Sequence, residues 1–252
     1  MEQNIINAGQ DNFTLPHDVV QLPTGGVFYK NKKKTVKVGY LTANDENILL
    51  SGLQQGKENI VLGLLRNKLY EPELRAEELL DSDVEAILIF LRNTSFGPEY
   101  SVKLTDPSNG KIFESTILLD ELNIKRGNVL PNEDGTFTTV LPKTNVTVKL
   151  KPLSLGEIME IEKQSENYPL GRVAPKINWK LTKQIVELNG NTDKGQISLF
   201  VDSLPIMDSK YIRNFLNENV PSLDLKKQVL APSGEIVNVD VNFGVEFFRP
   251  FF

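Results

Sequence analysis

Leu22-Pro-Thr-Gly-Gly-Val-Phe-Tyr29 is the stretch on which the reading of this chain turns. Gly25 and Gly26 take positive φ at little steric cost and suit a tight turn. Pro23 fixes its own φ and biases Leu22 towards extended backbone. Phe28 and Tyr29 then lead back into something apolar. Ahead of this stretch, residues 1–20 form a polar lead that reads as a flexible arm, mobile or docked on a partner. Behind it, Thr35-Val-Lys-Val-Gly-Tyr-Leu41 alternates as a strand. Thr42-Ala-Asn-Asp45 resembles a helix N-cap with an acid three residues on, and Ile48, Leu49 and Leu53 follow at helical spacing up to Gly56.

Further out the same punctuation continues. A helix is expected over about 58–70, and Ser82-Asp-Val-Glu85 reads as a capping box opening the apolar helix of Ile87, Leu88, Ile89 and Phe90. Arg92 and Asn93 close that helix. Tyr100–Leu104 and Lys111–Ile117 flank Asp106-Pro-Ser-Asn-Gly110 as a hairpin. Strands follow at 135–141 and 145–150, and Ser154-Leu-Gly-Glu157 is a second capping box. The helical spacing of Ile177, Trp179, Leu181, Ile185 and Val186 predicts a helix over 175–188, with two more near 193–202 and 208–218. Short strands at 228–230 and 236–241 surround Ala231-Pro-Ser-Gly234.

The order of these elements repeats. Val36–Thr42 leads into a capped helix as Val148–Ser154 does. The helix after Asp83, ending Phe90-Leu91, matches the helix after Asp208, ending Phe215-Leu216. The turn Pro107–Gly110 matches Pro232–Gly234. The expected fold class is therefore α+β: two duplicated lobes, each a small antiparallel sheet or hairpin with helices. The boundaries are 1–20 for the arm, 21–125 for the first lobe, and 126–252 for the second lobe with its aromatic C-terminal tail. The Leu22–Tyr29 stretch has no evident copy in the second half.

Composition narrows the function. A chain of 252 residues can bury a sizeable core. Its net charge of −5 argues against general affinity for nucleic acid or anionic membrane. With no cysteine, disulfides, thiolate catalysis and cysteine-bound metals are ruled out. No apolar run reaches the roughly 18 residues a membrane span requires. Met1-Glu-Gln-Asn-Ile-Ile lacks the basic and apolar regions of a signal peptide, so the protein is expected to stay in the cell that makes it.

Chemistry-bearing motifs are few. His17 is the single histidine and reads as a solvated linker residue. Gly25-Gly26 lacks the spacing of a phosphate-binding loop. The lysine run Lys30-Asn-Lys-Lys-Lys34 is a solvated turn or, alternatively, the patch of a host-directed binding module. Asp81 and Asp83 favour a helix dipole, and a search for an enzyme would start in a cleft holding them. The terminal Phe247-Phe-Arg-Pro-Phe-Phe252 either packs back on its own domain or inserts into a partner.

These residues resemble the baseplate hub and hub-assembly proteins of T-even-type contractile-tailed bacteriophages. The similar features are Leu22–Tyr29, Val36–Leu49, Leu91-Arg92, and Phe96-Gly-Pro-Glu-Tyr100, in the family's order over roughly the first 120 residues. Many members carry a Cys-Pro-x-Cys-Gly turn where this chain has Asp106-Pro-Ser-Asn-Gly110. Any metal clip is thereby lost, and the turn is left to stand on backbone chemistry alone. The resemblance implies a non-enzymatic tail protein with no cofactor and no metal, acting in hub structure or assembly. Expected partners are other hub or tail proteins, the tape measure, or a second copy of the chain, without nucleic acid or membrane. The expected location is the host cytoplasm during assembly, followed by the virion baseplate if the protein is a lasting hub subunit and not a transient assembly factor. Candidate partner contacts are Leu22, Pro23, Gly25, Gly26, Phe28 and Tyr29, with Phe247, Phe248, Phe251 and Phe252 at the other end.

Overall fold

A computed structural model describes residues 16–51, 57–243 and 245–248. Phe251, Phe252, Gly56 and the arm up to residue 15 lie outside the described residues. Strand β1 (His17–Gln21) pairs antiparallel with β2 (Thr35–Gly39), so the last part of the expected arm belongs to a sheet. Helices α1 (Ala43–Ser51), α2 (Lys57–Lys68) and α3 (Asp81–Phe96) follow. The hairpin β3 (Glu99–Thr105) and β4 (Ile112–Leu118) comes next, then the short β5 (Ile124–Lys125).

The second half opens with β6 (Phe137–Val140) and β7 (Thr147–Leu150), followed by α4 (Leu155–Glu166) and α5 (Lys176–Gln184). β8 (Ile185–Leu188), α6 (Lys194–Asp202) and α7 (Ile206–Asn219) complete the middle. β9 (Ser222–Leu223) pairs back with β5, and β10 (Lys226–Leu230) forms a hairpin with β11 (Ile236–Asp240). The class is α+β with several small antiparallel sheets, as expected. The single helix predicted over 175–188 divides: α5 stops at Gln184, and Ile185–Leu188 becomes the third strand of sheet β6–β7–β8. The β-branched pair Ile185-Val186 fits a pleated, half-buried surface better than a helix end.

Two hydrophobic clusters form the core. The first gathers Val20, Val36 and Val38 of β1–β2, Leu64 and Leu65 of α2, and Val84, Ile87 and Leu91 of α3. Val239, Val241, Phe247 and Phe248 join it from the far end of the chain. The second lies within 137–216 and gathers Phe137, Val148, Leu150, Leu181, Ile185 and Ile212. Phe28 packs against both clusters.

The local geometry around Leu22 recurs. Leu22 N donates to Lys34 O across the mouth of β1–β2, and Leu141 N donates to Val146 O across the mouth of β6–β7. Both leucines are buried and both precede a proline. The amide of Thr24 donates to Asp83, the third residue of α3. The amides of Lys143 and Thr144 donate to Asp208, the third residue of α7. Leu141-Pro-Lys-Thr-Asn145 thus makes a turn of similar local geometry to Leu22-Pro-Thr-Gly-Gly26, although the two stretches share little sequence. Backbone amides make the shared bonds, so little sequence identity is needed to keep them.

The two glycines of the first turn differ. Gly25 sits at φ +61 with open space around a hypothetical Cβ, whereas at Gly26, φ +75, a Cβ would lie 2.2 Å from Lys33 O. Gly25→Ala is therefore expected to cost about 1 kcal/mol from the left-handed backbone alone. Gly26→Ala must also push two backbone segments apart and is expected to cost at least about twice as much. Paired thermal melts of the two variants check this, and equal losses would contradict it.

Candidate functional site: a buried joint and the cleft beside it

The polar chemistry of Leu22–Tyr29 is spent inside the chain. Thr24 Oγ1 donates to Asp83 Oδ2 at 2.6 Å, and Thr24 N donates to Asp83 Oδ1 at 3.0 Å. The Tyr29 hydroxyl donates to the same carboxylate and accepts the Leu80 amide at 3.0 Å. Burial pushes the Asp83 carboxyl above its ordinary value, against the pull of the Thr24 and Tyr29 donors. Burial and the Asp83 charge push the Tyr29 phenol far up as well, so it stays a donor. Asp83 is thus a buried acceptor for another segment rather than an exposed dipole acid. Its helix begins after Leu80 as N-cap, so Ser82 lies inside α3 instead of capping it.

Phe28 carries the joint into the second half. Its ring lies 5.7 Å from that of Phe137, and Gly135 packs so tightly beneath it that a Cβ there would be 3.0 Å from Phe28 Cα. Lys32 Nζ donates to Val27 O at 2.8 Å and Glu133 O at 2.7 Å. Lys33 pairs with Glu71. Two of the lysines in the expected patch are therefore occupied within the chain. Of the candidate contact residues, Leu22, Pro23, Gly26 and Tyr29 are buried, and Gly25 and Phe28 are half-buried. Phe247 and Phe248 are buried in the first core. His17 is exposed at the start of β1 with its ring edge-on to Tyr70 at 5.9 Å.

The hairpin tips are also joined. Asp106 accepts from Ser108 N at 3.0 Å and Asn109 Nδ2 at 3.2 Å in its own turn. It also accepts from Ser233 Oγ at 2.7 Å and Ser233 N at 3.2 Å in the turn between β10 and β11. The turn without cysteines does not stand on backbone chemistry alone: a carboxylate ties it to the second hairpin. Ser233 is the first of the groups that hold the Asp106 carboxyl below its ordinary value.

Beside the joint lies an open cleft of about 1050 Å³. The start of α3 forms one wall, α5 and α7 another, and Leu223, Leu225 and Phe243 part of an apolar lining. Sequence reading placed Asp81 and Asp83 in one candidate cleft, but only Asp81 lines this one. Glu85, which that reading treated as a capping residue, is the acid the cleft perturbs. Burial, and then the charge of Asp81, push its carboxyl from 4.5 up to about 8. A folded-state value above the unfolded one means that the folded protein holds this proton more tightly. Glu85 therefore costs nothing below pH 4.5 and progressively destabilises the fold as pH rises from 4.5 towards 8. Glu85→Gln is expected to raise stability by about 3 kcal/mol at pH 8 and to leave it nearly unchanged at pH 4. Urea melts of both proteins at the two pH values test this; a gain independent of pH would contradict it.

Among the described residues no group of three or more His, Asp or Glu side chains could hold a metal ion, and no helix is long and apolar enough to cross a membrane. Asp83 and Asp106 each bind one segment of the chain to another. Residues 24–248 match the T4 bacteriophage base plate protein family, and the chain belongs to it. No curated protein and no solved structure matched the chain.

Proposed function

We propose that the protein acts in the hub of a contractile-tail baseplate, as a hub subunit or an assembly factor, through protein–protein contacts and without catalysis. The family match over residues 24–248 carries this reading. Membership implies a structural role in a phage baseplate and contact with other baseplate proteins. The finer assignment to the hub rests on the resemblance of Leu22–Tyr29 and Val36–Leu49. The lobes are proposed to be duplicates, supported by the paired turns onto Asp83 and Asp208 and the paired hairpins after α3 and α7. Lobe boundaries near 125, contacts with the tape measure, self-association, and a host-cytoplasmic assembly stage belong to the same proposal.

Leu22–Tyr29 and Phe247–Phe248 serve partner contacts from within, by fixing the surfaces around them. Co-expression with the other tail proteins of the same phage is expected to give a co-purifying complex, and deletion of the gene to arrest tail assembly. Intact tails from the deletion, with no complex, would overturn the reading. Mass spectrometry of mature virions separates a resident subunit from a transient factor.

A further inference from the structure

The hairpins β3–β4 and β10–β11 each turn one face to the first core, through Tyr100, Val102 and Ile117 on one and Val229, Val237 and Val239 on the other. The alternate residues of β4, Ile112, Glu114, Thr116 and Leu118, are exposed. Backbone bonds at the two ends of β3–β4 fix which groups the hairpin uses. Leu119 N donates to Pro98 O, and Asp106 N donates to Lys111 O. Between them the register runs from Glu99↔Leu118 to Thr105↔Ile112. In an antiparallel ladder the bonded pairs alternate, so Tyr100–Ile117, Val102–Ser115 and Leu104–Phe113 exchange the bonds. The N–H and C=O groups of Ile112, Glu114, Thr116 and Leu118 therefore point away from β3. Among the described residues no third strand takes them up.

This edge lacks the devices by which proteins keep sheet edges unpaired. It is seven residues long and in regular register, with no proline, glycine, lysine or bulge. The opposite edge differs: Glu99 O, which points outward from β3, accepts from Arg92 Nη2, and β3 also carries Lys103. β10 and β11 are five residues each, and β10 begins with Lys226 and Lys227. The open edge also bears exposed apolar side chains, Ile112 at 74% and Leu118 at 40%.

The strand is complementary to itself. A second copy of β4 added antiparallel must pair outward-pointing residues with outward-pointing residues. Only a two-fold axis at Ser115 gives every one of them a partner: Ile112 meets Leu118 of the second copy, and Glu114 meets Thr116. An axis at Glu114 would set two carboxylates face to face and put Leu118 opposite the turn at Gly110. An axis at Thr116 would set Glu114 against Leu118. With the axis at Ser115, Glu114 keeps Lys103 of its own hairpin at 3.5 Å. Deepening the self-association proposed above, we propose that two copies of the protein join through β4, antiparallel about Ser115, into one continuous sheet ordered β3–β4–β4–β3.

The test uses the full chain in solution, where sedimentation equilibrium is expected to show a concentration-dependent dimer. Thr116→Pro removes an amide that β3 does not use, so the hairpin survives, and it is expected to weaken the dimer at least about tenfold. Ile112→Lys, at an exposed side chain, is a second variant with the same expected loss. Leu230→Lys, equally exposed on the other hairpin, is expected to leave the dimer unchanged. Because the chain has no cysteine, cross-linking gives an independent readout. The two Ser115 Cα atoms would face each other at about 4.5 Å as a non-hydrogen-bonded pair. Ser115→Cys is therefore expected to give a disulfide-linked dimer on mild oxidation, and Ser101→Cys, exposed on β3, is not. A dimer that tolerates Thr116→Pro and Ile112→Lys and does not cross-link at Ser115 overturns this interface and leaves self-association standing. A chain that stays monomeric at every concentration overturns the interface and self-association together, and leaves the contacts with other baseplate proteins to their own co-purification.

Discussion

Asp83→Ala is expected to lower the stability of the protein by about 4 kcal/mol or more, a shift of roughly 10 °C in its melting temperature. Asp83 is fully buried and accepts from Thr24 N, Thr24 Oγ1 and the Tyr29 hydroxyl. Alanine leaves all three donors in the interior without an acceptor, and each such group costs on the order of 1–3 kcal/mol. Asp83→Asn is expected to recover little, because its amide NH2 would face donors. Tyr29→Phe removes one donor and strands the Leu80 amide, so it is expected to cost about 2 kcal/mol. The ranking alanine and asparagine together, phenylalanine well behind, distinguishes a buried acceptor from a helix-dipole acid. A dipole acid would cost at most about 1 kcal/mol and would be partly replaced by asparagine. Urea denaturation measures all three.

The same residues show what a sequence can reveal. Local devices were legible: the Ser154–Glu157 capping box forms with both reciprocal bonds, and both hairpins close around their Pro-containing turns. Each depends on residues a few positions apart. The Ser82–Glu85 pattern has the same spacing yet forms no cap, because Asp83 bonds to Thr24, 59 positions away, and the helix starts after Leu80. The Asp106–Ser233 tie spans 127 positions and leaves no local trace. The turn onto Asp208 escaped notice for another reason. Lys143 and Thr144 offer only their amides, which any residue but proline can supply. Of the cleft, Asp81 was noticed for its charge. Its neighbours Ser82 and Glu85 share α3 with it, while Gln184 comes from α5, and only tertiary packing brings the two helices to one cleft.

Arg92 carries the second large effect. It reads in sequence as a helix-closing cation, but it is 1% exposed. Nε donates to Phe247 O at 3.1 Å, Nη1 to Gly97 O at 2.5 Å, and Nη2 to Glu99 O at 2.8 Å. The guanidinium also lies 5.3 Å from the Tyr100 ring centre and 5.7 Å from that of Phe247. Burial lowers its pKa from the ordinary value, so the three carbonyl dipoles and the two rings do the work that a carboxylate would do elsewhere. One side chain thus holds the end of α3, the start of β3 and the buried C-terminal aromatics in register. Arg92→Ala is expected to cost about 3–5 kcal/mol through three unmet carbonyls and a cavity. Arg92→Lys is expected to recover less than half of that, since an ammonium on a flexible stem cannot reach three diverging carbonyls. Because Phe247 is held through its backbone carbonyl as well as its ring, Phe247→Leu should cost less than Arg92→Ala, about 1–2 kcal/mol. Limited proteolysis adds a local readout: Arg92→Ala should expose the chain around Phe247 to cleavage under conditions where Phe247→Leu stays protected. Equal protection in the two variants would show that the aromatic packing, and not the guanidinium fork, anchors this end of the chain.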